Sequence, residues 1–456
     1  MRRVVKVSRI RIIITIIVVV LTTLLTGCTG KEPNEIAYVV ALGIDSTDDD
    51  NYKITIQYAN TTQISGGASE SGGKAGSEIV DNVTIEAPNI YAGVGLANNI
   101  VSKSFSMSHA KLIVFSKEIA EKGVKDMIET LVRSEEIRPD VFIAVANTTA
   151  NDYLTSVNPE MEVNPAQYYQ LIYQKNQLVG IPDGQLREFF TGLYTDNYDS
   201  ILPVAGVIEG SGGYSQNDDK GQSKDGQNEG SEGSSESLDS FESKSSDDKD
   251  ENEKEKDAEK NTSKYEYDIK NYVGGETAIE KKNKAEAIGA AVFEKDKMVG
   301  ELGEVETEIC KILKGDYTYS YLTYYNNDTP DIPITVKTTQ QKKPKYKIDT
   351  DKKTVDIELY IESDLYSLPA DYNVENKIED FERDVANYTS SACTEFINNF
   401  TKKYNSDILK LNEKIKYKFL TNNQYNWFKK NVGWSEYKFS VCTNFKVRRT
   451  GLIVRE

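Results

Sequence analysis

Apolar residues fall along this chain in two rhythms. In Tyr52–Ala59, Ile54, Ile56 and Tyr58 alternate with Lys53, Thr55 and Gln57, the period of two that marks a strand with one wet face. The run before it, Ile36–Asp45, is apolar almost throughout, and the Asp/Asn cluster at Ser46–Asn51 between the two predicts a hairpin. A short strand near Val83 and a small-residue helix over Pro88–Ile100, with proline in its first turn, follow. Lys111–Phe115 predicts a buried strand, Ser116 a helix cap, the next residues a helix to about Val132, and Val141–Ala146 another strand: a β-α-β unit. Ala150–Val157, Pro165–Asn176 and Gly184–Tyr194 predict helices of a smaller subdomain at 150–209, closed by a strand at Ile201–Ile208.

In the second half, a hairpin turns at Glu294–Lys297, and Val305, Ile309, Ile312 and Leu313 mark the helix after it. Strands are predicted at Thr318–Tyr325, Ile332–Lys337, Tyr346–Ile348 and Thr354–Glu362, the last with Val355, Ile357, Leu359 and Ile361 on one face. From Asn376 to Tyr404 the period changes. Ile378, Phe381, Val385, Thr389, Ala392, Cys393, Phe396 and Phe400 recur mostly at spacings of three and four, one buried stripe along the longest helix. A helix at Thr421–Asn431 and a strand with Tyr437, Phe439, Val441, Phe445 and Val447 on one face end the pattern. The expected fold class is α+β, with two or three mixed α/β lobes. The first holds the hairpin and the β-α-β unit, and the C-terminal lobe is an antiparallel sheet covered by the long helix.

Between the halves the rhythm stops. Residues 210–264 are mostly Ser, Gly, Asp, Glu, Lys, Asn and Gln, with 16 acidic and 7 basic residues in 211–260. Such a stretch cannot bury enough apolar area to offset its ordering entropy. It predicts a disordered acidic linker between an N-terminal lobe at 28–209 and a C-terminal lobe at 265–456, in keeping with the two or three domains expected of 456 residues. A shorter flexible hairpin tip is expected at Ser65–Ser77. Over the whole chain 72 Asp and Glu face 55 Lys and Arg, a net charge of −17, which argues against nucleic acid as a partner. The basic cluster that stands out lies at the extreme N-terminus.

There Arg2, Arg3, Lys6, Arg9 and Arg11 precede the uncharged apolar stretch Ile12–Leu25. The stretch is shorter than the roughly 18 to 20 residues of a bilayer-spanning helix, so residues 1–27 predict a cleaved signal peptide. Leu25, Thr26, Gly27 and Cys28 resemble a bacterial lipobox, which implies diacylglycerol thioether-linked to Cys28 and an N-acyl chain on the new terminus. Loss of the five leader cations takes the net charge from −17 to −22. A lipid anchor with no further span puts the body on the outer side of a membrane. Anionic lipid repels an acidic body, which predicts one held off the surface or docked on a protein partner.

Catalytic chemistry is sparse. His109 is the single histidine, and the four cysteines are scattered without zinc-ligand spacing. No nucleophile elbow, phosphate loop or EF-hand loop occurs, and Gly93 and Gly95 lack the third glycine of a dinucleotide fingerprint. No catalytic residue, metal or cofactor is assigned beyond the lipid on Cys28. Of Cys310, Cys393 and Cys442 at least one is unpaired within the chain, and Cys393 on the helix stripe is expected to be a small buried hydrophobe.

ALGIDST at Ala41–Thr47, HAKLIVFSKEIAEKGVKDMIETLVRSEEIRPDVFIAVA at His109–Ala146, GAAVFEKDKMVGEL at Gly289–Leu302 and WFKKNVGWSEYKFSVCTNFKVRRTGLI from Trp427 onward together resemble the Ger(x)C family, the lipoprotein C subunits of spore germinant receptors. Two features depart from that pattern. Thr29–Pro33 follows the lipobox cysteine where the family has a Trp-Asp or similar pair, and the acidic linker is unusually long. The resemblance implies a non-catalytic subunit on the outer face of the spore inner membrane, acting with a partly membrane-embedded A subunit and a transporter-like B subunit in response to nutrient germinants. It also implies fold-defining positions at Gly43, Asp45, His109 and Arg138, with Asp45 ending a strand and Arg138 fixing the chain before Pro139. One alternative is a solute-binding lipoprotein of a transporter, which needs a cleft between similar lobes with convergent polar groups. Another is a structural envelope lipoprotein.

Overall fold

Strands that are apolar on every position need cover on both faces, and the first sheet supplies it. The computed structural model describes residues 13–18, 35–49, 51–59, 80–158, 165–174, 180–195, 197–208, 271–277, 283–325, 333–367, 377–404 and 406–450. The predicted hairpin is present: β1 (Ile36–Ser46) pairs antiparallel with β2 (Tyr52–Ala59), Ile44 opposite Ile54, and β2 pairs with β3 (Val80–Ala87). On its other edge β1 runs parallel to β4 (Ser104–Ser106) over its first residues and to β5 (Leu112–Ser116) from Ala41 onward. β6 (Phe142–Ala146) and β7 (Ile201–Val207) continue in parallel.

Alternate residues feed two cores. Leu42, Ile44, Ile113, Phe115, Ile143 and Val145 pack against α1 (Ile90–Ala97), α2 (Lys117–Lys122) and α3 (Lys125–Val132). Leu112, Val114, Phe142 and Ala144 pack against α4 (Ala150–Ser156) and α5 (Pro165–Gln174) on the opposite face. α6 (Leu186–Thr195) returns to the first face through Leu186 and Phe189. The single helix predicted after Ser116 is two. Ser116 caps α2, but Gly123, at φ 125°, ends it, and the Val124 N–H leaves for Asp296 O at 3.0 Å before α3 begins. That φ suits glycine alone.

β8 (Ala285–Glu294) pairs antiparallel with β7, Val207 opposite Ala285, and β9 (Lys297–Leu302) forms the sheet edge. The strand order is β3-β2-β1-β5-β6-β7-β8-β9, with β4 beside β1. The composition break predicts a second lobe from residue 265, yet Ala285–Leu302 belongs to the first sheet. Ala285, Ala287, Ala290, Ala291, Val292 and Phe293 are all buried, which requires cover on both faces. The chain leaves the sheet after β7 and re-enters it in the neighbouring strand, with the Ile208 N–H on Lys284 O at 2.9 Å. Residues 210–264 and Ser65–Ser77 lie outside the described residues.

α7 (Glu304–Lys314) follows β9 and joins the two sheets. Its Cys310, Ile312 and Leu313 share a core with Ile201, Val292 and Leu302 of the first sheet and Val355, Leu359 and Phe439 of the second. The second sheet contains β10 (Tyr319–Tyr325), β11 (Pro333–Gln340), β12 (Lys345–Asp349), β13 (Thr354–Ser367) and β14 (Lys438–Arg449). β12 and β11 pair antiparallel with successive halves of one edge of β13, and β10 extends β11. The other edge of β13 takes β14 in parallel, so the expected antiparallel sheet has one parallel pair. A long crossover is what parallel pairing requires, and α8 (Ile378–Tyr404) provides it. Phe381, Val385, Cys393, Phe396 and Phe400 of α8 cover one face of this sheet. α9 (Leu411–Ile415) and α10 (Asn422–Asn431), capped by Thr421, precede β14. Among the described residues no helix is long and apolar enough to cross a membrane.

Candidate functional site

The motif positions divide between core and surface. Gly43 lies on β1 where α4 crosses it: a Cβ there would meet Leu154 Cδ1 at 3.0 Å and Ala150 Cβ at 3.1 Å. Asp45, the last residue but one of β1, is buried. Its Oδ1 accepts the Ala150 N–H at 2.6 Å and its Oδ2 the Asn151 N–H at 3.0 Å. A helix start leaves such N–H groups without intrahelical partners, so Gly43 and Asp45 together seat α4 on the sheet. Burial pushes the Asp45 carboxyl up, while the two N–H bonds and Lys53 oppose the rise. His109 and Arg138 are not part of that contact. His109 is exposed, edge-on to Tyr38 with ring centroids 4.9 Å apart, and the exposed Arg138 has its Nε 3.2 Å from Asp140. Cys28 lies outside the described residues. Cys310 and Cys393 are buried free thiols, pushed up by burial to about 11 and about 12, and Cys442 is free and exposed.

Buried charge concentrates elsewhere, at a seam between the residues after α6 and those after α8. Asp199 N–H donates to Asp407 O at 3.2 Å, and Asp407 N–H donates to Asp199 Oδ2 at 2.8 Å. The Asp407 carboxylate accepts the Leu411 and Asn412 N–H groups at 2.7 and 2.8 Å, at the start of α9. Burial pushes this carboxyl up to about 7; the two N–H bonds and Lys414 oppose the rise, and Asp199 adds to it. Lys410 sits 4.2 Å over the Tyr198 ring and 3.4 Å from Glu188, and Tyr198 donates to Glu188 O at 2.9 Å. On α7, buried Lys311 donates to Ile181 O at 3.1 Å, and burial brings it down to about 8. Burial likewise pushes Glu308 up to about 7, against hydrogen bonds from Ser320 and Tyr317.

Two cavities flank the seam. One, of about 420 Å³, has Asp183, Glu188, Tyr198, Lys314, Asp316 and Lys410 on its walls. The other, of about 610 Å³, has Asp199, Asn412, Lys429, Lys430 and Trp434. Walls of both signs suit a small polar or zwitterionic molecule better than an apolar one. Among the described residues no His, Cys, Asp and Glu group is placed to hold a metal ion. Periodicity does not reveal this seam. The available signal is Asp407 itself, an acid set directly before Ile408, Leu409 and Leu411, where a charge needs partners.

Comparison with known proteins follows the same outline. Residues 30–207 match the family described as spore germination protein N-terminal domain, and residues 288–451 that described as spore germination B3/GerAC like, C-terminal. The chain is 26% identical over 174 residues to spore germination protein KC of Bacillus subtilis (strain 168), covering 35% of this chain and 42% of that protein. It is 28% identical over 145 residues to the putative spore germination protein YfkR of the same organism, covering 32% and 37%. To its spore germination protein B3 it is 26% identical over 148 residues, covering 30% and 36%. The matched stretches thus span less than half the length of each relative. The crystal structure of the GerBC protein aligns with 89% of this chain and 96% of that one, with 15% identity and a TM-score of 0.47. Two family matches, in order and together taking in most of the described body, place the chain in the GerAC-like family of spore germination proteins.

Proposed function

We propose that this chain is a non-catalytic, lipid-anchored subunit of a spore germinant receptor. Diacylglycerol and an N-acyl chain on Cys28 would hold it at the outer face of the spore inner membrane, where it acts with membrane-embedded A and B subunits in the response to nutrient germinants. The observation that carries this reading is the pair of spore germination matches behind a basic, apolar leader ending in Leu25, Thr26, Gly27 and Cys28. The buried charges support a rigid platform: Asp45 and Asp407 hold the first turns of α4 and α9, and Lys311 holds the Ile181 carbonyl. Purification of the tagged full chain from spore membranes in mild detergent tests it. Two membrane proteins recovered in fixed ratio are expected, and recovery of the chain alone contradicts the reading.

The 420 Å³ cavity, with Asp183, Lys314 and Lys410 on its walls, favours solute binding as a second reading. Against it, the two sheets differ in strand number, order and cover, unlike the similar lobes such a protein needs. A melting temperature that rises with millimolar germinant amino acid would favour it, since a ligand bound only by the folded state stabilises that state.

A further inference from the structure

We propose that Lys410–Lys430 forms a second, non-covalent contact with the membrane, a basic and aromatic foot that docks on anionic lipid. Lys410, Lys414, Lys416, Lys418, Lys429 and Lys430 stand here against one acid, Glu413, in a chain whose net charge is −17. It is a second basic cluster besides the leader, obscured in the sequence by the acidity of the whole. Three large apolar side chains project from the same segment: Tyr417 is 93% exposed, Leu420 94% and Trp427 63%.

The segment is held to the body by the buried Leu411, Ile415, Tyr425 and Phe428. Phe419 lies against Tyr425 and Phe428, with ring centroids 5.7 and 5.1 Å away, and the Thr421 side chain caps α10. Trp434 Nε1 donates to Asn412 Oδ1 at 3.2 Å. Folding therefore buries Tyr425 and Phe428, half-buries Phe419 and leaves Tyr417, Leu420 and Trp427 outside, beside the exposed Lys416 and Lys430, while Lys414 and Lys418 expose their stems and turn Nζ to the Leu409 and Ile348 carbonyls. Aromatic rings with a polar edge, a leucine and neighbouring lysines are the composition that settles at the headgroup level of a bilayer.

Topology gives the position. β1, β5, β6 and β7 are parallel, so Ile36 and Ile201 both lie toward the edge formed by their strand starts, with Ile201 level with Ala41, five residues inward of Ile36. Residues just before Ile201 hold the foot: Tyr425 OH donates to Asn197 Oδ1 at 3.1 Å, and Lys429 Nζ to Thr195 O at 3.4 Å. Seven residues, and so eight Cα-to-Cα steps, separate Ile36 from Cys28, a reach of at most about 28 Å. A lipid on Cys28 thus keeps this edge near the bilayer, and to that extent the placement rests on the anchor proposed above. Total charge does not oppose the contact. At physiological salt the field of an exposed charge fades over about 8 Å, so the lysines facing the surface decide. Each such lysine raises partitioning onto anionic lipid roughly fivefold.

The test uses the chain from residue 28 onward with Cys28→Ala, which retains all three described cores and carries no lipid. It is sedimented with phosphatidylcholine vesicles with and without phosphatidylglycerol. Expected are binding to the anionic vesicles alone, weakening with salt, and at least a tenfold loss in both the Tyr417→Ser/Leu420→Ser/Trp427→Ser and the Lys416→Glu/Lys430→Glu variants. Trp427 and the buried Trp434 are the only tryptophans, so a vesicle-induced blue shift that Trp427→Phe removes reports the foot directly. Equal binding by wild type and variants, equal binding to neutral vesicles, or no binding at all overturns the proposal. Self-association that the triple variant abolishes, without vesicle binding, assigns the patch to a second copy and overturns it too. None of these outcomes bears on recovery with membrane partners, so failure here and failure of the receptor reading are told apart.

Discussion

The central strands of the first sheet have apolar cover on both faces and the second sheet has it on one, and that difference decides where each sheet keeps an open face. In β5 every residue from Leu112 to Ser116 is buried, whereas in β14 burial alternates, with Phe439, Val441 and Phe445 inward and Ser440, Cys442 and Asn444 outward. The motif positions Gly43 and Asp45 turn into the first sheet's packing and seat α4. The second sheet keeps an open face, and the segment after its long helix carries the exposed aromatic and basic side chains. Packing thus occupies both faces of the first sheet's central strands and leaves one face of the second sheet open.

The comparison breaks most readily at paired neighbours. Leu112→Ala and Ile113→Ala, one facing each core, should each cost about 2–5 kcal/mol in urea unfolding. Leu359→Ala should cost as much, while Glu358→Ala beside it, on the open face, should stay within about 0.5 kcal/mol. A loss above about 2 kcal/mol at Glu358 would mean that the second sheet is covered on both faces after all. Next in size, Gly43→Val and Asp45→Ala should each cost about 1–3 kcal/mol, the first by overpacking and the second by stranding two N–H groups. His109→Ala and Arg138→Ala should stay within about 0.5 kcal/mol, since both side chains are exposed.

The seam sharpens the contrast through pH. The Asp407 carboxyl rises from 3.8 to about 7 in the folded chain, so between those values the folded state holds a proton that the unfolded state has released. The stability linked to it is complete below about pH 4 and is lost as pH rises through about 7. Asp407→Asn should therefore flatten the fall in melting temperature across that window, and an unchanged slope would assign the fall to another group, Glu308 first. The smallest effect is expected from removing residues 211–264. Val207 and Ala285 already pair across β7 and β8, so a shorter connection should change stability by no more than about 1 kcal/mol. Loss of cooperative unfolding in that variant would show that the segment contributes to the sheet.

Where one face is wet, the sequence pattern and the structure agree closely. The alternation of β13 and β14 and the stripe of α8 fall on the predicted residues, because a polar neighbour at every other position, or around the helix, fixes which side is buried; the face of β2 predicted to be wet is instead covered, with Thr55 and Gln57 buried and hydrogen-bonded to Asn151 and Tyr169. Where both faces are covered the pattern loses its information. Ala285–Phe293 reads as apolar in any sheet, and only its pairing with β7 assigns it to the first. The break at Gly123 answers a distant acceptor, Asp296 O, which no local spacing encodes. Period also says nothing of partner direction, so the parallel pairing of β13 with β14 emerges only with the crossover in place. At the sites the same division holds. Gly43 and Asp45 are identifiable through resemblance, and geometry supplies their reason; Asp407, Glu308 and Lys311 are single charges without a spacing to mark them.

The tether is the central claim, and spores carrying Cys28→Ala test it most directly, with germination and membrane fractionation after a high-salt wash read in the same samples as wild type. The account predicts that the protein leaves the membrane fraction and that germination through one nutrient fails. Protein retained at the wild-type level together with unchanged germination would contradict it.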